Sequence, residues 1–368
     1  MKTSDSNIGD RTLWVAVFVL LAAGLVMVYS ASYIYAQERF HDGLYFFKRH
    51  VVFCVVGIAA FLTGCKVPMA WLKRAAFPFL GVCTVLVLAT LIPGLGRRAG
   101  GAARWLVAGP FGMQPAELLK AAVLLFVAAQ LERKEGERQN WRTGFLAYFA
   151  AALPAYVLLL LQPDFGSTVL LLATTTLVLL ATGIRVQYIA TMLGGTVMAG
   201  ALLILSSPYR RARVEAFLDP WKDAAGKGFQ VIQSLVAVYT GSWLGVGLGN
   251  SKEKLFYLPE AHNDFIFAVV AEELGVFGIL FFTGIFLTIV LRGLKAAVAA
   301  RTTFERGLAL GISVMIGLQA FFNIGVVLGL LPTKGLPLPL VSYGGTSLVV
   351  TMLQLGILTQ LSERGART

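Results

Sequence analysis

Ten apolar runs, each close to the length of a bilayer crossing, leave few folds open to this chain. They lie near 13–34, 50–66, 75–93, 116–131, 144–161, 166–183, 188–206, 264–291, 306–331 and 347–362. A helix of about 20 residues crosses a ~30 Å hydrocarbon core. Helices are the expected crossing element, because backbone groups in lipid need partners within the same segment. A barrel would alternate apolar and polar residues, whereas these runs are solidly apolar. Composition agrees. Hydrophobic residues make up 57% of the chain and charged residues 14%, where soluble domains carry about 25% charged. The expected fold is an all-α polytopic membrane protein of ten transmembrane helices, a single integral membrane domain over 1–368.

Polar punctuation separates the runs. Residues 66–74 are short and basic, 132–143 is the most polar stretch, and 162–166 is a tight break. The long segment 207–262 lies between the seventh and eighth crossings. Within it, 228–249 is apolar but interrupted by Gln230, Gln233 and Ser234. Phe229, Ile232, Val236 and Tyr239 recur at helical spacing there. That pattern predicts a helix along the membrane surface rather than an eleventh crossing. Cys54, Cys65 and Cys83 sit inside apolar runs and suit packing better than a disulfide or metal framework. The first run is too long for a signal-peptide core.

An even number of crossings puts both termini on one side. Lys and Arg number 16 on that side and 15 on the other. Seven of the 15 belong to 207–262, and long segments translocate with less regard to charge. Without them the balance is 16 to eight. Both termini are therefore expected in the cytoplasm and 207–262 outside. The outer cations, among them Arg97, Arg98, Arg104, Arg210 and Lys334, suit either anionic lipid headgroups or an anionic ligand.

Three clusters could carry chemistry. The first brings Glu260, His262, Asp264, Glu272 and Glu273 into or beside the eighth run. Charges at membrane depth cost at least ~2.5–3.5 kcal/mol and mark function by default. Asp264 directly precedes Phe265-Ile266-Phe267, which also suits a helix N-cap. His262 has no neighbouring His or Cys and reads as a polar residue at headgroup level. The second cluster is Arg104-Trp105, an indole anchor beside a phosphate-matching guanidinium, followed by Glu117 and Lys120. Those two stand three apart on one helical face and predict a mutual ion pair. The third is 332–347. Pro332, Pro337 and Pro339 forbid a regular helix, and Gly344-Gly345-Thr346-Ser347 opens the last run. A glycine-rich turn into a helix N-terminus can seat an anion, with Lys334 close in sequence.

Together these residues resemble the SEDS family (shape, elongation, division and sporulation). The motifs are Gly101-x-x-Arg104-Trp105, Gln114-Pro115-x-Glu117, Phe217-Leu218-Asp219-Pro220, Leu258-Pro259-Glu260-Ala261-His262-x-Asp264-Phe265, Pro332-Thr333-Lys334-Gly335 and Ser342-Tyr343-Gly344-Gly345. They occur in order and span nearly the whole chain. Asp219-Pro220-Trp221-Lys222-Asp223 and the run from Lys254 to His262 look more like the division branch than the elongation branch. Ala116 stands where the family usually has Ser, and Asn263 where Thr is common. The first departure puts a hydroxyl role at 116 in doubt.

The resemblance implies a peptidoglycan glycosyltransferase that polymerises lipid II at the outer face of the cytoplasmic membrane, at the division septum. It implies β-1,4 linkage and release of undecaprenyl pyrophosphate. The implied partners are a class B penicillin-binding protein transpeptidase and other division membrane proteins; nucleic acid is not among them. An α-linked donor giving a β product requires inversion, which one general base can serve. Asp264 is the expected base, its pKa raised by partial burial. Arg104, Lys334, and Arg210 or a divalent cation would neutralise the pyrophosphate, though no recognised metal-ligand spacing supports the cation. Trp105, Glu117, Lys120, Glu260, His262, Ser342, Gly344 and Gly345 complete the expected substrate site. Two other readings stay open: a lipid II flippase or transporter, and the elongation polymerase.

Overall fold

The computed structural model describes residues 8–99, 102–108, 111–137, 139–206, 211, 215, 217–226, 228–254, 262–333 and 335–366. Each of the ten apolar runs lies on a helix. The helices are α1 (Ile8–Phe40), α2 (Tyr45–Lys66), α3 (Met69–Leu91), α4 (Pro115–Arg133), α5 (Leu146–Leu161), α6 (Phe165–Ala181), α7 (Val186–Leu205), α9 (Ile266–Val298), α10 (Thr303–Val327) and α11 (Gly345–Ala366), with a short α8 (Phe229–Gly241) between α7 and α9. Seven are long and apolar enough to cross a membrane: α1, α2, α3, α9, α10, α11 and α5 with its leading π-helical turn. α6 and α7 are shorter apolar helices. α4 is diluted by Glu117, Lys120, Glu132 and Arg133.

Helix ends follow local chemistry. Asp164 caps α6 by accepting from Ser167 N at 3.1 Å, which explains the break at 162–166. Thr302 caps α10 through Glu305 N, also at 3.1 Å. α2 and α11 pack with near backbone contact. A Cβ on Gly64 would lie 2.4 Å from Leu353 O, and one on Gly356 would lie 2.1 Å from Phe61 O. Small residues at crossings substitute for the hydrophobic drive that lipid removes. One apolar core joins α1, α2 and α9–α11; a second joins α3–α6. Large apolar side chains such as Val55, Phe77, Val85, Leu202 and Phe277 face outward, as expected where the solvent is lipid.

Three features differ from the sequence expectation. The fold is mostly, not wholly, helical: β1 (Gly96–Ala99), β2 (Ala102–Ala108) and β3 (Phe111–Met113) form an antiparallel sheet in the order β1-β2-β3. The strands are too short and glycine-broken to leave a period-two signal. The eighth run is not one continuous helix. Gly275, at φ 63 and ψ −157, interrupts α9, and a Cβ there would meet Gly245 N at 2.5 Å. In α8 the expected apolar stripe divides. Ile232 and Ala237 are buried, while Val236 and Tyr239 face out. At 13 residues and 1.5 Å per residue, α8 is too short to cross a bilayer.

Candidate active site

The N-terminal ends of five helices converge on a cavity of about 440 Å³. α2 contributes Arg49 and Phe53, α4 Gln114 and Glu117, and α6 Ser167. α9 contributes Asn263 and Asp264 just ahead of its start, and α11 contributes 343–347. Arg104, Trp105 and Gly112 of the sheet and the irregular stretch 335–337 complete the wall. A helix N-terminus presents N–H groups without partners inside the helix and roughly half a positive charge, and at α6 Asp164 already takes up the Ser167 amide. Five such ends with two arginines make an electropositive bowl suited to a multiply charged anion.

Two carboxylates stand in this bowl, in different settings. Glu117 Oε1 lies 2.8 Å from Lys120 Nζ, with side chains 6% and 1% exposed. The pair expected from their spacing is formed. Gln319 Oε1 lies 3.5 Å from the same ammonium. Lys120 does not line the cavity; it sits behind Glu117. Asp264 is half-buried, and its carboxylate lies over Gly335, where a Cβ would come within 2.8 Å of Oδ2.

The main chain around Asp264 is held at three successive carbonyls. His262 O accepts from Tyr343 N at 3.0 Å. Asn263 O accepts from Ser342 Oγ at 2.6 Å, and Asp264 O from Asn323 Nδ2 at 2.8 Å. The facing segment is braced by the same helix: Asn323 Nδ2 donates to Leu336 O and Gln319 Nε2 to Pro337 O, both at 2.8 Å. Irregular backbone inside a membrane protein needs such partners. Here two buried amides one turn apart on α10 supply them.

Several expected residues take other places. Asp264 is not the N-cap of α9; Phe265 occupies that position, so Asp264 stands one residue outside. His262 is buried among Tyr35, Phe46 and Tyr343, with ring centroids 5.4, 4.7 and 6.0 Å away; it packs rather than faces the cavity. Ser342 is structural, since its hydroxyl also accepts from Leu338 N at 2.7 Å. Arg104 lines the cavity while donating to Gln162 O at 3.2 Å and Pro163 O at 2.7 Å, which ties β2 to the α5–α6 break. Trp105, Gly344 and Gly345 line the wall. Arg210, Glu260 and Lys334 lie outside the described residues. Among the described residues, no group of three His, Cys, Asp or Glu is gathered as a metal site.

Three residues were missed by sequence reasoning. Arg49 lines the cavity and lies over the Tyr45 ring at 4.4 Å, but in sequence it is one cation among those preceding an apolar run. Gln319 and Asn323 did leave a signal, as two amides at i and i+4 on an otherwise apolar helix.

Fold and cavity together define a polytopic membrane protein with an arginine-lined cavity at one end of its bundle. The chain belongs to the FtsW/RodA/SpoVE family of cell cycle proteins, whose model matches residues 10–366; this is the SEDS family. It is similar to the probable peptidoglycan glycosyltransferase FtsW of Geobacter metallireducens, at 42% identity covering 96% of this chain and 95% of the relative. The FtsW of Aromatoleum aromaticum, also named a probable peptidoglycan glycosyltransferase, is 44% identical over 98% of this chain and 90% of its own length. Among solved structures, a chain from a peptidoglycan synthase complex coordinating polymerisation and crosslinking superimposes with a TM-score of 0.79 at 31% identity, covering 96% of this chain and 97% of that one. The rod shape determining protein RodA of Thermus thermophilus gives 0.70 at 28% identity, covering 97% of each chain.

Proposed function

We infer that the chain is the division-type peptidoglycan glycosyltransferase of its cell, polymerising lipid II into β-1,4-linked glycan. The convergence of five helix N-termini and two arginines on a cavity that also holds Asp264 carries this reading. Asp264 acts as general base. It removes the proton from the acceptor sugar's 4-hydroxyl as that oxygen attacks C1 of the donor. The C1–O bond to the pyrophosphate breaks on the opposite face, so configuration inverts. The departing charge is taken up by the helix ends with Arg49 and Arg104, helped by Lys334 and Arg210.

The ten helices cross the cytoplasmic membrane at the septum, with both termini in the cytoplasm and 207–262 outside. A class B penicillin-binding protein transpeptidase and other division membrane proteins work alongside, by analogy with the crosslinking complex. The test is purified protein in liposomes with labelled lipid II. Polymer should form with wild-type protein and fall by about 10²–10⁴-fold with Asp264→Asn, the usual range for a general base. Lipid movement without polymer would instead indicate a flippase. Near-normal polymer from Asp264→Asn would remove Asp264 as base.

A further inference from the structure

One buried charged cluster lies outside the cavity wall and has no part in the mechanism above. After α8 the long loop folds inward, burying Ser251, Glu253 and Lys254. Lys254 Nζ lies 2.9 Å from Glu273 Oε1, with side chains 4% and 0% exposed. The same ammonium donates to Gly249 O at 2.6 Å. Ser30 of α1 donates to both Glu273 oxygens, at 2.7 and 2.8 Å. Glu272 accepts from Ser251 Oγ, from Lys252 N at 3.0 Å and from Glu253 N at 3.4 Å. Two adjacent carboxylates of α9 thus hold the whole stretch 251–254.

The backbone repeats this clamp. Val246 N donates to Glu272 O at 3.0 Å and Gly247 N to Glu273 O at 3.1 Å, while Val276 N donates to Ser242 O at 3.0 Å. These contacts straddle Gly275, where α9 is broken. A helix interrupted at a left-handed glycine loses the continuous ladder that would fix its first part to its second. The direction of Ile266–Leu274 is then set by what grips it from the side. That short helix starts two residues after Asp264, and only nine residues separate Asp264 from Lys254.

We propose that Lys254 and Glu273, with Glu272 beside them, are positioning residues: a charged lock that sets the first part of α9 against the long loop and so places Asp264 in the cavity. Neither member of the pair lines the cavity, so the lock works through Asp264. The proposal rests on the reading of Asp264 as the base. A buried ammonium persists only when paired, and among the described residues Glu273 is the carboxylate that pairs with Lys254.

The test compares Lys254→Met, Glu273→Gln, the double variant and Lys254→Arg, all as full-length protein in liposomes with lipid II. Misplacement of a catalytic group by about 1 Å costs on the order of 10²-fold. Each single variant should lose about that much in kcat, with KM for lipid II within a few-fold. Hydrogen exchange should quicken at 262–265 and at the Tyr343 amide, which is bonded to His262 O. Lys254→Arg should restore both. Should the single variants fail to fold, the double variant leaves no unpaired charge, and it should fold with the same kcat loss and faster exchange. Normal kcat in the folded variants overturns the proposal, as does a loss without faster exchange, or one confined to KM. Exchange does not depend on which group is the base. An active Asp264→Asn protein would therefore sink the base assignment by itself, while exchange in the Lys254 and Glu273 variants reads separately whether the pair holds 262–265.

Discussion

A lysine ammonium taken out of water costs several kcal/mol unless an anion and hydrogen bonds replace the water. Lys120, 1% exposed, is held by Glu117 and by Gln319. Removing one partner of such a pair typically costs about 3–5 kcal/mol, while removing both is often nearly neutral. Lys120→Met should therefore lower thermal stability markedly in detergent. The double variant Lys120→Met/Glu117→Gln should recover most of it. Equal stability of the single and double variants would mean that the pair is not coupled. At this scale the sequence was informative where chemistry is local. The Glu117–Lys120 pair follows from a spacing of three on one helix face. Arg49 and the packing role of His262 do not follow, because each depends on which helix stands opposite. Asp264 stands one residue outside the cap position that its place before Phe265 suggested, the usual uncertainty of helix ends.

Among elements, the loop that returns to α9 carries a titratable group of its own. Glu253 is buried, and its Oε2 has no hydrogen-bond partner among the described residues. Burial first, then the charge of Glu272, pushes its pKa up to about 7. Among the described residues, the charged groups of that stretch and of the helix it packs on are Lys252, Lys254, Glu272 and Glu273; Ser30 of α1 adds a hydroxyl. A carboxyl raised in the folded state favours the protonated form. Its contribution to stability is complete below the ordinary carboxylate range and is lost as pH rises through about 7. The melting temperature should therefore fall between about pH 5 and about pH 8, and Glu253→Gln should flatten that slope. An unchanged slope would assign the pH dependence elsewhere. The apolar helices were legible because each announces itself over many residues. The sheet and the break at Gly275 were not. Three- to seven-residue strands carry too little pattern, and a single glycine in an apolar run looks the same whether it kinks the helix or only packs.

For the whole molecule, the helices that end at the cavity alternate along the chain. α2, α4, α6, α9 and α11 begin at it, so α1, α3, α5, α7 and α10 run the other way. A site fed by a lipid-linked sugar on the outer face therefore requires both termini in the cytoplasm. The loop charges led to the same orientation by an unrelated route, since 16 of 31 Lys and Arg fall on the terminal side and seven of the rest on the one long loop. Two exposed positions discriminate. Glu137 lies beyond the C-terminal end of α4, away from the cavity, and its side chain is 54% exposed. Lys222 lies in the long loop, 80% exposed. With Cys54, Cys65 and Cys83 replaced by alanine, single cysteines would be placed at 137 and 222. An impermeant maleimide applied to intact cells, with the outer membrane made permeable where there is one, should label 222. Position 137 should react only after the cytoplasmic membrane is opened. The reverse pattern would invert the protein, put the cavity on the cytoplasmic face and make polymerisation outside the cell impossible at this site. Labelling of both from outside would show that the helices between them do not cross an odd number of times.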